Sequence, residues 1–367
     1  MSTPVMLPAQ DQMKHNFNAG PSVLPASVLQ EAAEAVINYQ QSGLSILEIG
    51  HRTSTFMAIM EEARSLMKEL MQLGDDHEVL FLHGGATTQF MQVPMNLLDP
   101  KETVAIADTG VWSSKAIKEA RLFGNVEVVC SSKDKNYSYI PKDFAVPNDA
   151  KYFHITTNNT IYGTQWKKIP HTSNVLVADM SSDILSRQLN FSAFGLIYAG
   201  AQKNIGAAGT TVVIVNKKIL GKVRREIPTI MDYRNHIKED SLLNTPPVFA
   251  VYTCLLTLRW LKAQGGVAVI EALNRQKADT LYREIDRNRL FRGTVEVADR
   301  SDMNVCFLAI DAETETAFLE FAKNRNIVGI KGHRLSGGFR ASLYNALPLS
   351  SVEYLVSVMQ EFEQLQH

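Results

Sequence analysis

Short apolar runs punctuate much of the chain: VLFL at 79–82, TVAIA at 103–107, VEVVC at 126–130, YFHIT at 152–156, VLVAD at 175–179, GLIYAG at 195–200 and TTVVIV at 210–215. Runs of this length, rich in β-branched residues, predict buried strands. Amphipathic patterns between several of them, at 88–98 and 113–123, predict helices. Strand and helix in alternation predict a largely parallel α/β sheet, where ligands sit at the carboxyl ends of the strands.

From Pro246 the pattern changes. VFAVYTCLLTLRWLKAQGG predicts a long helix closed at Gly265-Gly266, and a second helix follows from Val267 to about Asn288. Beyond it, NVCFLAI at 304–310, IVGI at 327–330 and FRASLY at 339–344 alternate with helical patterns at 314–325 and 350–365, a small α+β module. The expected organisation is an N-terminal tail over 1–15, a large domain over 16–263 and a small C-terminal domain over 264–367. Neither an internal repeat nor a low-complexity segment interrupts it.

Composition narrows the partners. The chain has 367 residues, 45% of them hydrophobic, which suffices for a large buried core. Lys and Arg number 37 against 38 Asp and Glu, without a basic tract, so neither nucleic acid nor an anionic membrane is an expected partner and any anion site must be local. The three cysteines, Cys130, Cys254 and Cys306, are far apart and match neither a CxxC nor a zinc spacing, which fits buried thiols in a reducing compartment. Residues 1–14 lack the charged and apolar pattern of a leader, and the expected location is the cytoplasm.

The most informative block is IYAGAQKNIGAAGTTVVIV at 197–215, where Lys203 follows an apolar strand inside a glycine-rich turn. A lysine at a strand's carboxyl end can form a Schiff base with an aldehyde once desolvation lowers its pKa. Taken alone, a loop lysine is more often simply solvated. Asp179 changes the odds, because it ends the strand VLVAD one strand earlier. Pyridoxal chemistry needs such a pair: the lysine anchors the aldehyde, and the carboxylate keeps the pyridine nitrogen protonated. By itself Asp179 would more often cap a turn, since Ser181 and Ser182 follow.

HGGATTQFMQVPMNLL at 83–98 adds a strand end, two glycines and a helix start, whose free backbone amides make an anion site. It is neither a Walker loop nor a dinucleotide fingerprint, and Gly84-Gly85 alone would more often mark a tight turn. Trp112, in ADTGVWSSKA after another strand end, can stack on a flat ring or serve equally as a buried structural tryptophan.

The blocks FNAGPSVLP (17–25), GHRTSTF (50–56), HGGATTQF (83–90), NNTIYGTQW (158–166), ADMSSDILSR (178–187), YAGAQKNIG (198–206), NTPPVF (244–249) and KGHRLSGGFRASLYNA (331–346) together resemble the phosphoserine aminotransferase family. The resemblance runs from about Asn16 to the C-terminus. It implies the fold-type-I architecture of class-V pyridoxal-phosphate aminotransferases: a large domain with a mostly parallel seven-stranded sheet flanked by helices, and a smaller α+β C-terminal domain. It implies a homodimer whose active sites draw on both chains, with one pyridoxal 5'-phosphate per subunit.

Carried over by position, Lys203 is the Schiff-base lysine, Asp179 partners the pyridine nitrogen, Trp112 stacks on the ring and Thr160 touches its hydroxyl side. Ala86, Thr87 and Gln202 match positions holding the cofactor phosphate, while Asn244 and Thr245 match those reaching the phosphate of the neighbouring subunit's cofactor. Substrates need two anion sites, and arginine suits both because its fork binds oxyanions bidentately. In the family pattern Arg340 takes the α-carboxylate, and His51 and Arg52, joined by residues matching His333 and Arg334 in the other subunit, receive the distal anion. Thr87 stands where many members carry an arginine, Gly50 where a serine is common and Ala19 where a serine can occur.

The implied reaction has two halves. Glutamate displaces Lys203 from the cofactor, the freed amine moves the α-proton, and 2-oxoglutarate leaves; 3-phosphohydroxypyruvate then enters and departs as O-phosphoserine. The same scaffold leaves other expectations open: another small-substrate aminotransferase, a cysteine desulfurase, or a protein that binds the cofactor without turnover. A desulfurase needs a cysteine on a mobile loop, whereas all three here lie in strand- or helix-like segments. Action on 4-phospho-hydroxythreonine, a step of pyridoxine biosynthesis, is a second open activity.

Overall fold

A computed structural model describes residues 14–366. Of the expected tail, residues 1–13 lie outside the described part, and the remainder leads into a strand. In chain order the elements begin with β1 (His15–Asn16), α1 (Ala26–Asn38), α2 (Ser54–Leu70), β2 (His77–Leu82), α3 (Gly85–Leu97), β3 (Thr103–Asp108), α4 (Val111–Ala120) and β4 (Asn125–Ser131). There follow β5 (Tyr152–Thr156), β6 (Val175–Asp179), β7 (Leu196–Gly200), β8 (Thr211–Asn216), α5 (Tyr233–Lys238), α6 (Val248–Ala263) and α7 (Gly266–Arg287). The chain finishes with β9 (Phe291–Gly293), β10 (Asn304–Ala309), α8 (Ala312–Lys323), β11 (Ile327–Val328), β12 (Phe339–Ser342) and α9 (Leu349–Leu365).

The central sheet has seven strands in the order β2-β8-β7-β6-β5-β3-β4. Only β8 runs against its neighbours; β7, β6, β5, β3 and β4 are parallel in sequence of pairing. Strands β5 to β8 are buried almost end to end, as uniformly apolar runs covered by helices on both faces should be. VEVVC departs from the expectation of a buried strand. It forms β4, the edge strand, hydrogen-bonded only to β3, and most of its residues are partly or fully exposed. An apolar run does not reveal whether a second face is covered.

One hydrophobic cluster packs α1, α2 and α6 on one face of this sheet, and another packs α3 and α4 on the opposite face. A further core gathers Phe17, the second half of α7, β9, β10, β12 and α9. Helix α7 belongs to two of them: Val267 and Ile270 join the first cluster, Ala278, Leu281 and Ile285 the last. The N-terminal segment also crosses over, because β1 pairs in parallel with β11. α1 and α2 have no counterpart in the expected helices. α2 starts where Thr53 Oγ1 accepts the Phe56 amide, so the His51-Arg52 pair sits immediately before a helix.

Candidate active site

Parallel strands of the sheet deliver their carboxyl ends to one edge of the molecule. β7 ends at Gly200, and the chain turns back through Ala201–Gly206, with the Ile205 and Gly206 amides both donating to the Ala201 carbonyl. Lys203 leaves this turn, and its Nζ donates to Thr160 Oγ1 at 2.9 Å. Burial lowers its pKa from 10.5 to about 8, with Asp179 opposing and Arg340 adding to the shift. A lysine so placed keeps a far larger fraction of neutral, nucleophilic amine near neutrality than a solvated one.

Asp179 closes β6 beside Thr156 of β5 and Tyr198 of β7. It is buried, and the Ser181 amide donates to its Oδ1 at 2.9 Å. Burial pushes the carboxyl up, while the Ser181 contacts and the nearby Lys203 act the other way. Trp112 lies in the first turn of α4, its ring centroid 6.0 Å from Lys203 Nζ and 4.5 Å from Lys115 Nζ. Arg340, on β12, reaches over from the other core: its Nη1 donates to the Thr160 carbonyl at 3.3 Å. Two buried nitrogens here, Trp112 Nε1 and Arg340 Nε, have no partner within the protein. Each is a donor left for water or a bound group to satisfy.

The glycine turn after β2 leads into a helix start of the kind that can hold an anion. Gly84 and Gly85 have φ of 92° and 67°, and the helix begins at Gly85, three residues before the expected start at Thr88. Ala86 and Thr87 therefore fall in its first turn, where amides lack helical acceptors and the macrodipole favours an anion. A Cβ on Gly84 would come within 2.0 Å of Thr88 Oγ1, so this turn tolerates no side chain there. A Cβ on Gly85 would meet open space. Gln202, next to Lys203, packs closely on Gly200.

The surroundings agree with comparisons to known proteins. The family model for class-V aminotransferases matches residues 14–355. Phosphoserine aminotransferase from Flavobacterium johnsoniae is 56% identical over 351 residues, 95% of this chain and 99% of that protein. The solved phosphoserine aminotransferase of Bacillus circulans subsp. alkalophilus is 42% identical with a TM-score of 0.94, covering 97% of this chain and 100% of its own. The pyridoxal-phosphate-bound enzyme of Trichomonas vaginalis is 35% identical with a TM-score of 0.90, covering 95% and 100%.

The chain belongs to the phosphoserine aminotransferase family.

Not every position that the family pattern picks out joins the Lys203 group within one chain. Arg52 is exposed and lines a separate surface pocket with Met57, Glu61, Arg64 and Asp240, while His51 Nε2 is buried without a protein partner. Among the described residues, no hydrogen bond or ion pair links either to Lys203, Thr160 or Arg340. Thr245 is exposed beside the glycine turn, its carbonyl 2.8 Å from His83 Nε2, with Asn244 next to it. His333 is half-buried, and its pKa is lowered by burial and by the positive charges of Arg340, Arg334 and Lys115. Arg334 itself is exposed.

Several contacts around Lys203 have no counterpart in the hydrophobic pattern. Ser22 Oγ donates to the Lys203 carbonyl at 2.6 Å, and a Cβ on Gly20 would lie 3.2 Å from Lys203 Cγ, so the Ala19–Ser22 segment lies directly on the lysine. Tyr344 Oη donates to the Ala19 carbonyl at 2.8 Å. Beneath Asp179, Asp183 is fully enclosed and accepts from Thr157 Oγ1 and from Arg187 Nη2. Asp183 and Arg187 stand four residues apart in a turn segment and not in a helix, so no local pattern marks the pair.

Proposed function

We propose that this chain transfers the amino group of L-glutamate reversibly to 3-phosphohydroxypyruvate, giving 2-oxoglutarate and O-phospho-L-serine in serine biosynthesis, with pyridoxal 5'-phosphate anchored on Lys203. The observation that carries it is the half-buried, easily deprotonated amine of Lys203 hydrogen-bonded to Thr160, whose carbonyl holds Arg340, with the charge of Asp179 acting on it.

The residues present fit this cofactor. A free helix start with a glycine turn suits its phosphate, Asp179 suits a ring nitrogen, Trp112 offers a flat face and Lys203 an amine. When bound, the cofactor supplies an electron sink for the substrate's α-carbon. Ala86, Thr87 and Gln202 would hold the phosphate, Thr160 the ring's hydroxyl side, and Asp179 the ring nitrogen in its protonated state. Arg340 binds the substrate's α-carboxylate with its forked donors, steadied by the Thr160 carbonyl. Once the amino substrate has taken its place, Lys203 accepts the α-proton and returns it, a task suited to a pKa of about 8.

The distal anion is assigned to His51 and Arg52 together with the partner subunit's residues at positions 333 and 334, and the neighbouring cofactor's phosphate to Asn244 and Thr245. A homodimer follows from that division. It is supported by the separation of Arg52 from the Lys203 group and by the exposed apolar side chains Leu44, Leu47 and Met57 around the His51-Arg52 pair. The proposed domain division is 16–263 and 264–367, and the proposed location is the cytoplasm. Among the described residues no helix is long and apolar enough to cross a membrane.

The desulfurase reading loses support from the thiols. Burial pushes Cys130 and Cys306 up to about 12 and Cys254 still higher, so none is a ready thiolate. The deciding experiment mixes purified protein with glutamate and 3-phosphohydroxypyruvate and follows 2-oxoglutarate and phosphoserine. Turnover on another oxo acid with no phosphoserine formed would overturn the proposal, and 4-phospho-hydroxythreonine in a parallel reaction tests the second activity.

A further inference from the structure

A second lysine is enclosed as completely as any group in the molecule. Lys277, in α7, has no exposed surface, and no ion pair holds it among the described residues. Its Nζ instead donates to three backbone carbonyls, those of Leu343 at 2.9 Å, Tyr344 at 2.8 Å and Leu347 at 3.2 Å. An ammonium has three protons, and here each has an acceptor. The three carbonyls belong to one turn, the one that leaves β12.

That turn touches the Lys203 group on several sides. Arg340 lies on β12 just before it, with its guanidinium on the Thr160 carbonyl. Tyr344 donates to the carbonyl of Ala19, whose neighbour Gly20 packs against the Lys203 stem. The Asn345 amide donates to Asn204 Oδ1 at 3.0 Å, and Asn204 directly follows Lys203. The Asn345 side chain is held in turn by the Leu185 carbonyl and by Asn274 Nδ2, three residues before Lys277 on the same face of α7.

We propose that Lys277 is a positioning residue for amino transfer: by gathering the Leu343–Leu347 turn it fixes Arg340 on one side of the site and the two flanks of Lys203 on the other. Lysine suits the task because only an ammonium satisfies three converging carbonyls at once. An apolar replacement leaves them buried without donors, and the turn moves to find others. Shifts of about an ångström in groups that orient substrate can cost roughly 100-fold in rate. The proposal rests on the roles assigned above to Lys203 and Arg340.

The test uses the holoenzyme of Lys277→Met, which keeps the volume of the stem and removes the donor. Kinetics of the glutamate half-reaction, the pH midpoint of the bound cofactor's absorbance and the melting temperature are measured side by side, well below that temperature. The expected result is a roughly 10- to 100-fold fall in kcat/KM for glutamate, together with a displaced absorbance midpoint. A lower melting temperature with unchanged kinetics and midpoint would make Lys277 structural only and overturn the proposal.

If Lys277→Met does not fold, Asn204→Ala carries the test, because it removes the side-chain oxygen that accepts from the Asn345 amide and so cuts the same turn from the residue after Lys203. It should show the same paired loss, and unchanged kinetics and midpoint would be equally fatal. Where both fold, the double variant should lose less than the product of the single effects, while full additivity would argue against a shared path. Arg340→Ala serves as the control for the underlying reading: if it leaves glutamate kinetics intact, the assignment of Arg340 fails, independently of Lys277.

Discussion

Lys203 is half-buried and Lys277 wholly buried; burial lowers the pKa of Lys203 to about 8 and pulls Lys277 down as well, against three carbonyl acceptors that favour its charged form. Their surroundings differ in kind. Lys277 faces three carbonyls that accept every proton it has. Lys203 has one hydroxyl partner, an aromatic face at 6.0 Å and a carboxylate nearby. Burial alone therefore does not make a lysine a nucleophile. What distinguishes a reactive amine is a donor capacity that the protein leaves partly unused, next to groups that can accept or return a proton.

The contrast breaks most readily at Lys203. Lys203→Ala should abolish the borohydride-reducible cofactor linkage and lower turnover by roughly 1,000-fold or more. A reduced adduct found by mass spectrometry on Lys277 or any other lysine would remove the distinction altogether. Arg340→Ala should reduce kcat/KM in both half-reactions by roughly 100-fold, the scale for losing one partner of an enclosed charged contact. An effect on only one half-reaction would refute the assignment of Arg340 to the α-carboxylate that both substrates share.

Asp179→Asn keeps the shape and removes the charge, and should slow proton transfer at the α-carbon more than it weakens glutamate binding, seen as a fall in kcat with KM nearly constant. The smallest effect concerns pH. The neutral amine is the nucleophile, so covalent capture of pyridoxal phosphate by apoenzyme should accelerate as pH rises through about 8. A midpoint near 10.5, the ordinary value for lysine, would mean that the amine is solvated after all.

The interior of the sheet was legible because strands covered on both faces must be apolar throughout, and VLVAD and GLIYAG carry that demand in their composition. β4 misled because VEVVC has the same composition without a second neighbour. The pairing of β1 with β11 is a non-local contact of two residues each, too short to leave a periodic trace. The candidate site divides similarly. Lys203 and Asp179 stood out because one closes and the other closely follows a recognisable strand. The roles given to Arg340 and Arg52 came from family resemblance alone, since nothing local marks which arginine faces a ligand. Ala19–Ser22 and Tyr344 meet Lys203 only through chain folding over long distances.

Helix α7 carries one more implication. Its 22 residues span about 33 Å and begin in the core beneath the large sheet but end in the core around β10. Neither core can come apart without exposing one half of a helix whose other half is still packed. The two cores should therefore give way together, in a single calorimetric transition rather than two separate ones, despite the molecule having two recognisable ends.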